Sequence, residues 1–282
     1  MDDFRLDALT PEDLDAALRL STQAGWNQNE ADWRRLLELF PNGCLAGRSG
    51  GRLIATATVA SYAPGLRWIG MVLVDAAERG KGLGTRILDA ALERALEEGP
   101  NAVGLDATDL GRPLYRARGF ADVEPIDRWE GPLAAADSET TPEPLGAASL
   151  EDVIAFDRAS CGADRGALLR RLVAEPGVAA WIVRSRSGVE GYAVLRPGRR
   201  VPHVGPVVAA TPGAARALLG AAGRALAGRP AIVDAPRRPE TTALLERYGM
   251  DIRRRLVRMT YPETRPLLAG PRVVAAAGFE WG

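Results

Sequence analysis

Histidine occurs once in this chain, at position 203, lysine once, at 81, and cysteine twice, at 44 and 161. A single histidine confines any Ser–His–Asp or Cys–His apparatus to one residue. The two cysteines are distant and form no CxxC or Cys/His cluster, which argues against a disulfide framework or a zinc site and reads as two small buried hydrophobes. No metal is expected. Charge of one sign is not in excess either: 36 basic residues face 36 acidic ones, so nothing draws the chain as a whole to nucleic acid or to an anionic membrane. No apolar run approaches the roughly 20 residues of a membrane span. The opening MDDFRLDALTPEDLDAALRL has neither the basic start nor the apolar core of a signal peptide. The expectation is a cytoplasmic protein, monomer or homodimer, with no nucleic-acid and no membrane partner.

What is present is a globular composition, 46% hydrophobic and 26% charged, in a chain longer than one domain usually needs. Residues 130–149, EGPLAAADSETTPEPLGAAS, are rich in Pro, Ala, Gly, Ser and Thr without a hydrophobic period. A linker at 136–149 is therefore expected between domains 1–135 and 150–282. In the first half, apolar spacing predicts helices near 11–22 and 30–39 and strands near 43–48, 52–61 and 66–74, with a Ser49-Gly50-Gly51 hairpin turn. A helix follows the next glycines and stops at Gly99-Pro100. A strand near 102–107, a helix near 111–118 and a strand after Gly119 complete the half. The second half repeats this order, and its closing AAAGFEWG reads as a strand. Aligning WIGMVLVDAAERGKGLG with PHVGPVVAATPGAARAL matches Gly70 to Gly205 and Val72 to Val207; Asp106 falls opposite Asp234. Two copies of one mixed α/β unit account for the length.

Between strand and helix of the first unit stands Arg79-Gly80-Lys81-Gly82-Leu83-Gly84. A strand that enters such a loop and leaves as a helix gathers free backbone N–H groups and the positive end of the helix dipole at one place. Phosphate suits that place: glycines keep side chains from holding it off the backbone, and Arg79 and Lys81 add charge. A solvated Gly-rich turn is the bland alternative. Two familiar phosphate motifs are excluded. Gly80-Lys81 is followed by Gly82 rather than Ser or Thr, and the third glycine of a dinucleotide fingerprint would stand at Thr85.

The order helix, helix, hairpin, strand, ERGKGLGTRIL, strand and then LYRARGF resembles the GCN5-related N-acetyltransferases (GNAT) over roughly residues 1–130. The whole chain resembles a tandem subgroup with a degenerate C-terminal acetyltransferase-like domain. The fold so implied is α/β, tandem GNAT-like mixed-sheet domains with flanking helices. The activity implied is transfer of acetyl from acetyl-CoA, a cosubstrate, to a primary amine by direct attack in a ternary complex. By the same resemblance the pantetheine arm and acetyl carbonyl lie along a splayed strand at Val72, Leu73 and Val74, where backbone N–H groups polarise the thioester. The pyrophosphate falls to Arg79, Gly80, Lys81, Gly82, Leu83, Gly84 and Thr85. Tyr115, four residues before Gly119, stands where the family has the acid for the departing thiolate. A phenol of pKa about 10 can donate to a thiolate whose conjugate acid lies near about 8.5.

Two roles are open to Asp106: proton acceptor for the attacking amine, directly or through water, or structural strand-end carboxylate. Glu30 and Asp32 are weaker acceptors, and Asn29-x-x-Asp32 has the spacing of a helix cap. Thr108 stands where the family has an asparagine. Trp26, Asn27 and Gln28 fall where the family builds its acceptor wall, although a tryptophan between two helices and a sheet also packs in core.

The second half lacks the chemistry, with TPGAAR in place of RGKGLG and Leu245 in place of Tyr115. It is expected to support the fold or wall the acceptor site, with Tyr192, His203 and Asp234 as contributors. Arg253-Arg254-Arg255 reads as a solvated strand face, or as a contact for a CoA phosphate or an acidic partner. A second domain closing the cleft favours a small-molecule amine over a protein acceptor. The alternative from another class is a non-catalytic acyl-CoA binding or sensing protein, against which the retained Tyr115 and intact loop argue.

Overall fold

The computed structural model describes all residues except 1–2, 98, 100–101, 135–139, 263 and 265–266. The first half runs β1 (Arg5–Ala8), α1 (Leu14–Gln23), α2 (Glu30–Leu39), β2 (Cys44–Ser49), β3 (Arg52–Tyr62), β4 (Leu66–Val74), α3 (Leu83–Leu96), β5 (Ala102–Ala107), α4 (Arg112–Arg116) and β6 (Ala121–Pro132). The second runs β7 (Glu143–Pro144), α5 (Leu150–Cys161), α6 (Gly166–Val173), β8 (Ala179–Ser185), β9 (Gly188–Arg196), β10 (His203–Ala209), α7 (Pro212–Leu226), β11 (Pro230–Pro236), α8 (Pro239–Arg247), β12 (Asp251–Tyr261) and β13 (Val273–Ala275).

Local chemistry accounts for the main elements. On α3, Ile87, Leu88, Ala91 and Ala95 recur at helical spacing and are buried against β3 and β4. α2 opens on a capping box in which Asn29 Oδ1 accepts from Asp32 N at 3.1 Å and Asp32 Oδ2 accepts from Asn29 N at 2.9 Å. β1, β7 and β13 are too short to announce themselves by alternation. β7 falls inside the expected linker and pairs with β8, while residues 135–139 of that linker lie outside the described residues. The strand expected for the closing residues does not form: β13 ends at Ala275, and the chain turns tightly from Gly278, where Gly282 N and Trp281 N both donate to Gly278 O.

All the strands join one sheet in the order β1-β2-β3-β4-β5-β12-β6-β11-β10-β9-β8-β7, with β13 added against β10. The halves have exchanged their last strands. β12, from the second half, pairs with β5 of the first; β6, from the first, pairs with β11 of the second; and β12 and β6 pair with each other. The exchange carries two equivalent ion pairs. Arg258 on β12 stands opposite Asp106 on β5 and holds it bidentately, Nε and Nη2 each at 2.9 Å. Arg128 on β6 stands opposite Asp234 on β11 and holds it in the same way at 2.7 Å. Each guanidinium also lies over an aromatic ring, Arg258 over Trp68 at 4.6 Å and Arg128 over Phe279 at 4.5 Å.

The apolar cores run across the same seam. Leu20, Trp33 and Leu36 of the first half share a buried cluster with Leu168, Leu172 and Trp281 of the second. Trp68 and Tyr62 share another with Val153, Leu169 and Val208. The tail is bound into this seam by hydrogen bonds, Trp68 Nε1 donating to Phe279 O at 2.9 Å and the Tyr62 hydroxyl to Trp281 O at 3.0 Å.

Candidate active site

β4 and β5 are parallel and pair only at Leu66–Ala102, Arg67–Val103 and Trp68–Gly104. Beyond Trp68 they part. A bulge drives the separation: the β3–β4 register shifts between Thr56 and Thr58, and Met71 takes φ +50°, a left-handed value that is strained for a side-chain-bearing residue. Buried Thr56 holds the bulge by donating Oγ1 to Met71 O at 2.9 Å. The edge of Val72, Leu73 and Val74 that faces β5 is thereby left without a strand partner, and all three line a cleft of about 940 Å³.

At the far end of β4 the loop turns through Gly80 at φ +80° and Gly82 at φ +76°, values that glycine alone adopts without strain. A Cβ at either position would meet nothing within 4 Å, so open space lies over both. No side chain caps the N-terminus of α3. The N–H groups of Leu83 and Gly84 and the helix dipole are thus left for an anion. Arg79, Gly80, Gly82, Leu83 and Gly84 line the cleft. Lys81 and Thr85 do not: Lys81 pairs with Glu78 at 2.7 Å, and Thr85 N donates to Gly82 O. We predict that Gly82→Val lowers affinity for acetyl-CoA, the cosubstrate that the sequence resemblance implies, at least about tenfold, or about 1.4 kcal/mol, with the circular dichroism spectrum retained. Calorimetric titration against wild type checks it, and equal affinities would remove the loop from the binding site.

Tyr115 sits half-buried on α4 and reaches the cleft. That short helix is fixed by Arg112 and Arg116, both ion-paired to Asp122 on β6, and by the Tyr115–Phe120 edge contact at 6.2 Å. Desolvation pushes the phenol up to about 12. Thr108 accepts from Gly111 N at the turn before α4 and so shapes Tyr115's platform.

Of the two roles open to Asp106, the geometry supplies the structural one. Both carboxylate oxygens are taken by Arg258 and the side chain is fully buried; burial pushes its carboxyl upward against the opposing pull of the guanidinium. Asp32 is the cap already described and also pairs with Arg35 at 2.9 Å, and Glu30 pairs with Arg34 at the surface. Trp26 and Gln28 line the cleft, but Asn27 does not. Its amide donates to Val201 O at 2.8 Å and accepts from Arg200 N at 2.9 Å, stapling the α1–α2 loop to the second half.

The opposite wall includes the Arg253-Arg254-Arg255 run, which the sequence offered as a solvated face or an anion contact, and Arg128, Phe279 and Glu280, which the spacing gave no reason to place there. Glu280 is buried, its backbone against Gly70; a Cβ on that glycine would lie 3.0 Å from Glu280 Cα. Gln28 Nε2 donates to Glu280 Oε2 at 2.9 Å, while Gln28 Oε1 is buried without a partner among the described residues.

In the second half the equivalent site is closed by its own chain. β10 and β11 pair only at His203–Ile232, so they part as β4 and β5 do, but β13 fills the gap. Val207, the counterpart of Val72, pairs with Ala275, and Ala276 N donates to Asp234 O at 2.8 Å. The helix that follows is capped, Thr211 Oγ1 accepting from Ala214 N at 3.1 Å. Tyr192, His203 and Asp234 do not reach the cleft; His203 Nε2 lies 3.1 Å from the Asp234 carboxylate and Tyr192 donates to Asp157.

Residues 11–120 match the acetyltransferase (GNAT) family and residues 153–270 match an acetyltransferase (GNAT) domain, between them most of the chain. This is a tandem GNAT protein. Among curated relatives, holothin acyltransferase of a Pseudoalteromonas species is 25% identical over 64% of this chain and 61% of its own, so the match spans less than two thirds of that relative. The uncharacterized N-acetyltransferase YitH of Bacillus subtilis is 28% identical over 71% of each chain. Among solved structures, a GCN5-related N-acetyltransferase from Sphaerobacter thermophilus superposes with TM-score 0.66 at 20% identity, covering 98% of this chain and 99% of that one. A tandem GNAT protein from the clavulanic acid biosynthesis pathway gives 0.67 at 15%, covering 91% and 98%. These likenesses show the fold. Within the GNAT fold the splay, the uncapped helix and Tyr115 occur together only in the first half. Among the described residues no cluster of three or more His, Cys, Asp or Glu is placed to hold a metal ion, and no helix is long and apolar enough to cross a membrane.

Proposed function

We propose that the first-half cleft binds acetyl-CoA and transfers its acetyl group to the primary amine of a small molecule. One observation carries the reading: the second splay is filled by β13, an extended strand hydrogen-bonded through its amides, whereas the matching edge at Val72 is open. A splay of this kind accepts an extended amide-bearing chain, and the pantetheine arm is one. The loop fits the rest of the molecule, since open space over Gly80 and Gly82 and an uncapped helix suit a pyrophosphate.

Acetyl-CoA supplies the thioester whose C–S bond breaks as the N–C bond to the amine forms. The backbone of Val72 to Val74 orients and polarises the acetyl carbonyl. Tyr115 holds the proton that the departing sulfur takes. Asp106 and Glu280 both line the cleft and both are ion-paired, to Arg258 and, at 3.1 Å, to Arg196, so the proton the amine gives up passes to water in the open cleft, and Gln28 Oε1 accepts an N–H of that amine. Walls from both halves leave a bounded cleft, which favours a small acceptor.

Two measurements test this. Calorimetry with acetyl-CoA is expected to give one site per chain, and thiol release over a panel of amines is expected to identify an acceptor. Binding without turnover on any amine would favour an acyl-CoA sensor; two sites per chain would contradict the closure of the second half.

A further inference from the structure

Arg254 lies on the cleft wall directly opposite Arg128 in the β12–β6 register. The two guanidiniums differ in their surroundings. Arg128 is neutralised bidentately by Asp234, whereas Arg254, half-buried, forms no ion pair or hydrogen bond among the described residues. The neighbouring charges do not compensate it: Arg200 is engaged by Glu130 at 3.2 Å, so the group Arg128, Asp234, Arg200, Glu130 and Arg254 carries one net positive charge. Burial and the adjacent Arg128 both press on Arg254 to lose its proton. A like-charged neighbour and partial desolvation with no carboxylate are costly for a structural residue and suit one that meets an anion. The bulge between Ile252 and Arg254 marks a local departure from the regular ladder, of the kind that re-aims side chains next to sites.

Resting on the reading of the cleft as an amine acetyltransferase site, we propose that Arg254, with Arg128 behind it, binds a carboxylate carried by the acceptor. The acceptor is then an amine that bears an acid. Arg253 and Arg255, exposed on either side, also line the cleft without an ion pair among the described residues, so this wall is positive, and the planar fork of the half-buried Arg254 matches a carboxylate. The opposite polarity stands close by. Gln28 Oε1, buried without a partner among the described residues, lines the same cleft and can accept an amine N–H. A short ω-amino acid carries both groups.

The test uses the full chain saturated with CoA and two probe pairs, β-alanine against n-propylamine and γ-aminobutyrate against n-butylamine. Melting temperature reads binding and thiol release with acetyl-CoA reads turnover. The acidic member of each pair is expected to raise the melting temperature and to exceed its neutral partner at least about tenfold in kcat/KM. Arg254→Gln is expected to collapse that ratio, and Arg254→Lys to retain part of it. Equal behaviour of acidic and neutral probes on the wild-type protein overturns the proposal without needing any variant. Loss of discrimination between CoA and dephospho-CoA in Arg254→Gln, with the acidic preference intact, also overturns it and assigns the arginine to the cofactor's 3′-phosphate. Selective stabilisation by the acidic probes without acetyl transfer supports the subsite and sinks the transferase reading instead.

Discussion

Asp106→Ala is expected to destabilise the protein by about 3–5 kcal/mol, because it leaves the buried Arg258 guanidinium without its counter-charge. Arg258 is 1% exposed, donates its third nitrogen to Leu267 O at 2.7 Å and lies over Trp68, so it has no route to water. The double variant Asp106→Leu with Arg258→Met is expected to recover most of the loss, since removing both charges removes the desolvation penalty with them. Denaturant midpoints of the three proteins check this. The comparison also decides the role of Asp106. A catalytic base would show the reverse pattern, with turnover lost in Asp106→Ala at nearly unchanged stability and no recovery on deleting Arg258. A coupling energy near zero between the two positions would overturn the structural assignment.

The same pair shows where sequence reading stops. The repeat alignment set Asp106 opposite Asp234, and both do end equivalent strands with equivalent arginine partners. The partners were not legible. The order of elements announces a strand after Gly119 and another after Gly249, but it does not say which strand lies alongside. Arg258 therefore lies 152 residues from its mate with no local sign of it. The first-half loop was legible for the opposite reason: its signal is local, glycines at alternate positions where a strand hands over to a helix, and two of them do take left-handed angles. Glu280 and Arg254 illustrate the rest. Each reaches the cleft only because the tail and the exchanged strand cross the seam, a consequence of tertiary pairing that no window of sequence contains.

Tyr115→Phe is expected to lower kcat about 10²–10³-fold, equivalent to about 3–4 kcal/mol of transition-state stabilisation, with little change in acetyl-CoA affinity. Its folding stability is expected to stay within about 0.5 kcal/mol of wild type. The contrast follows from what the hydroxyl touches. Among the described residues it makes no hydrogen bond to protein, so the fold loses nothing with it, whereas the ring contacts to Phe120 and Gly111 survive in phenylalanine. Desolvation raises the phenol to about 12, so it remains protonated throughout the range in which the protein can be assayed. No falling limb from Tyr115 is therefore expected between pH 7 and about pH 10, and the rate rises with the neutral fraction of the amine, whose ordinary pKa is about 10.4. Tyr115→Phe should show the same rising profile at a lower level, because the group removed does not titrate there. A variant with wild-type kcat would return Tyr115 to packing. A wild-type rate that collapses well below pH 10 while the variant's does not would mean that the phenol ionises in the working range, which its desolvated position on α4 opposes.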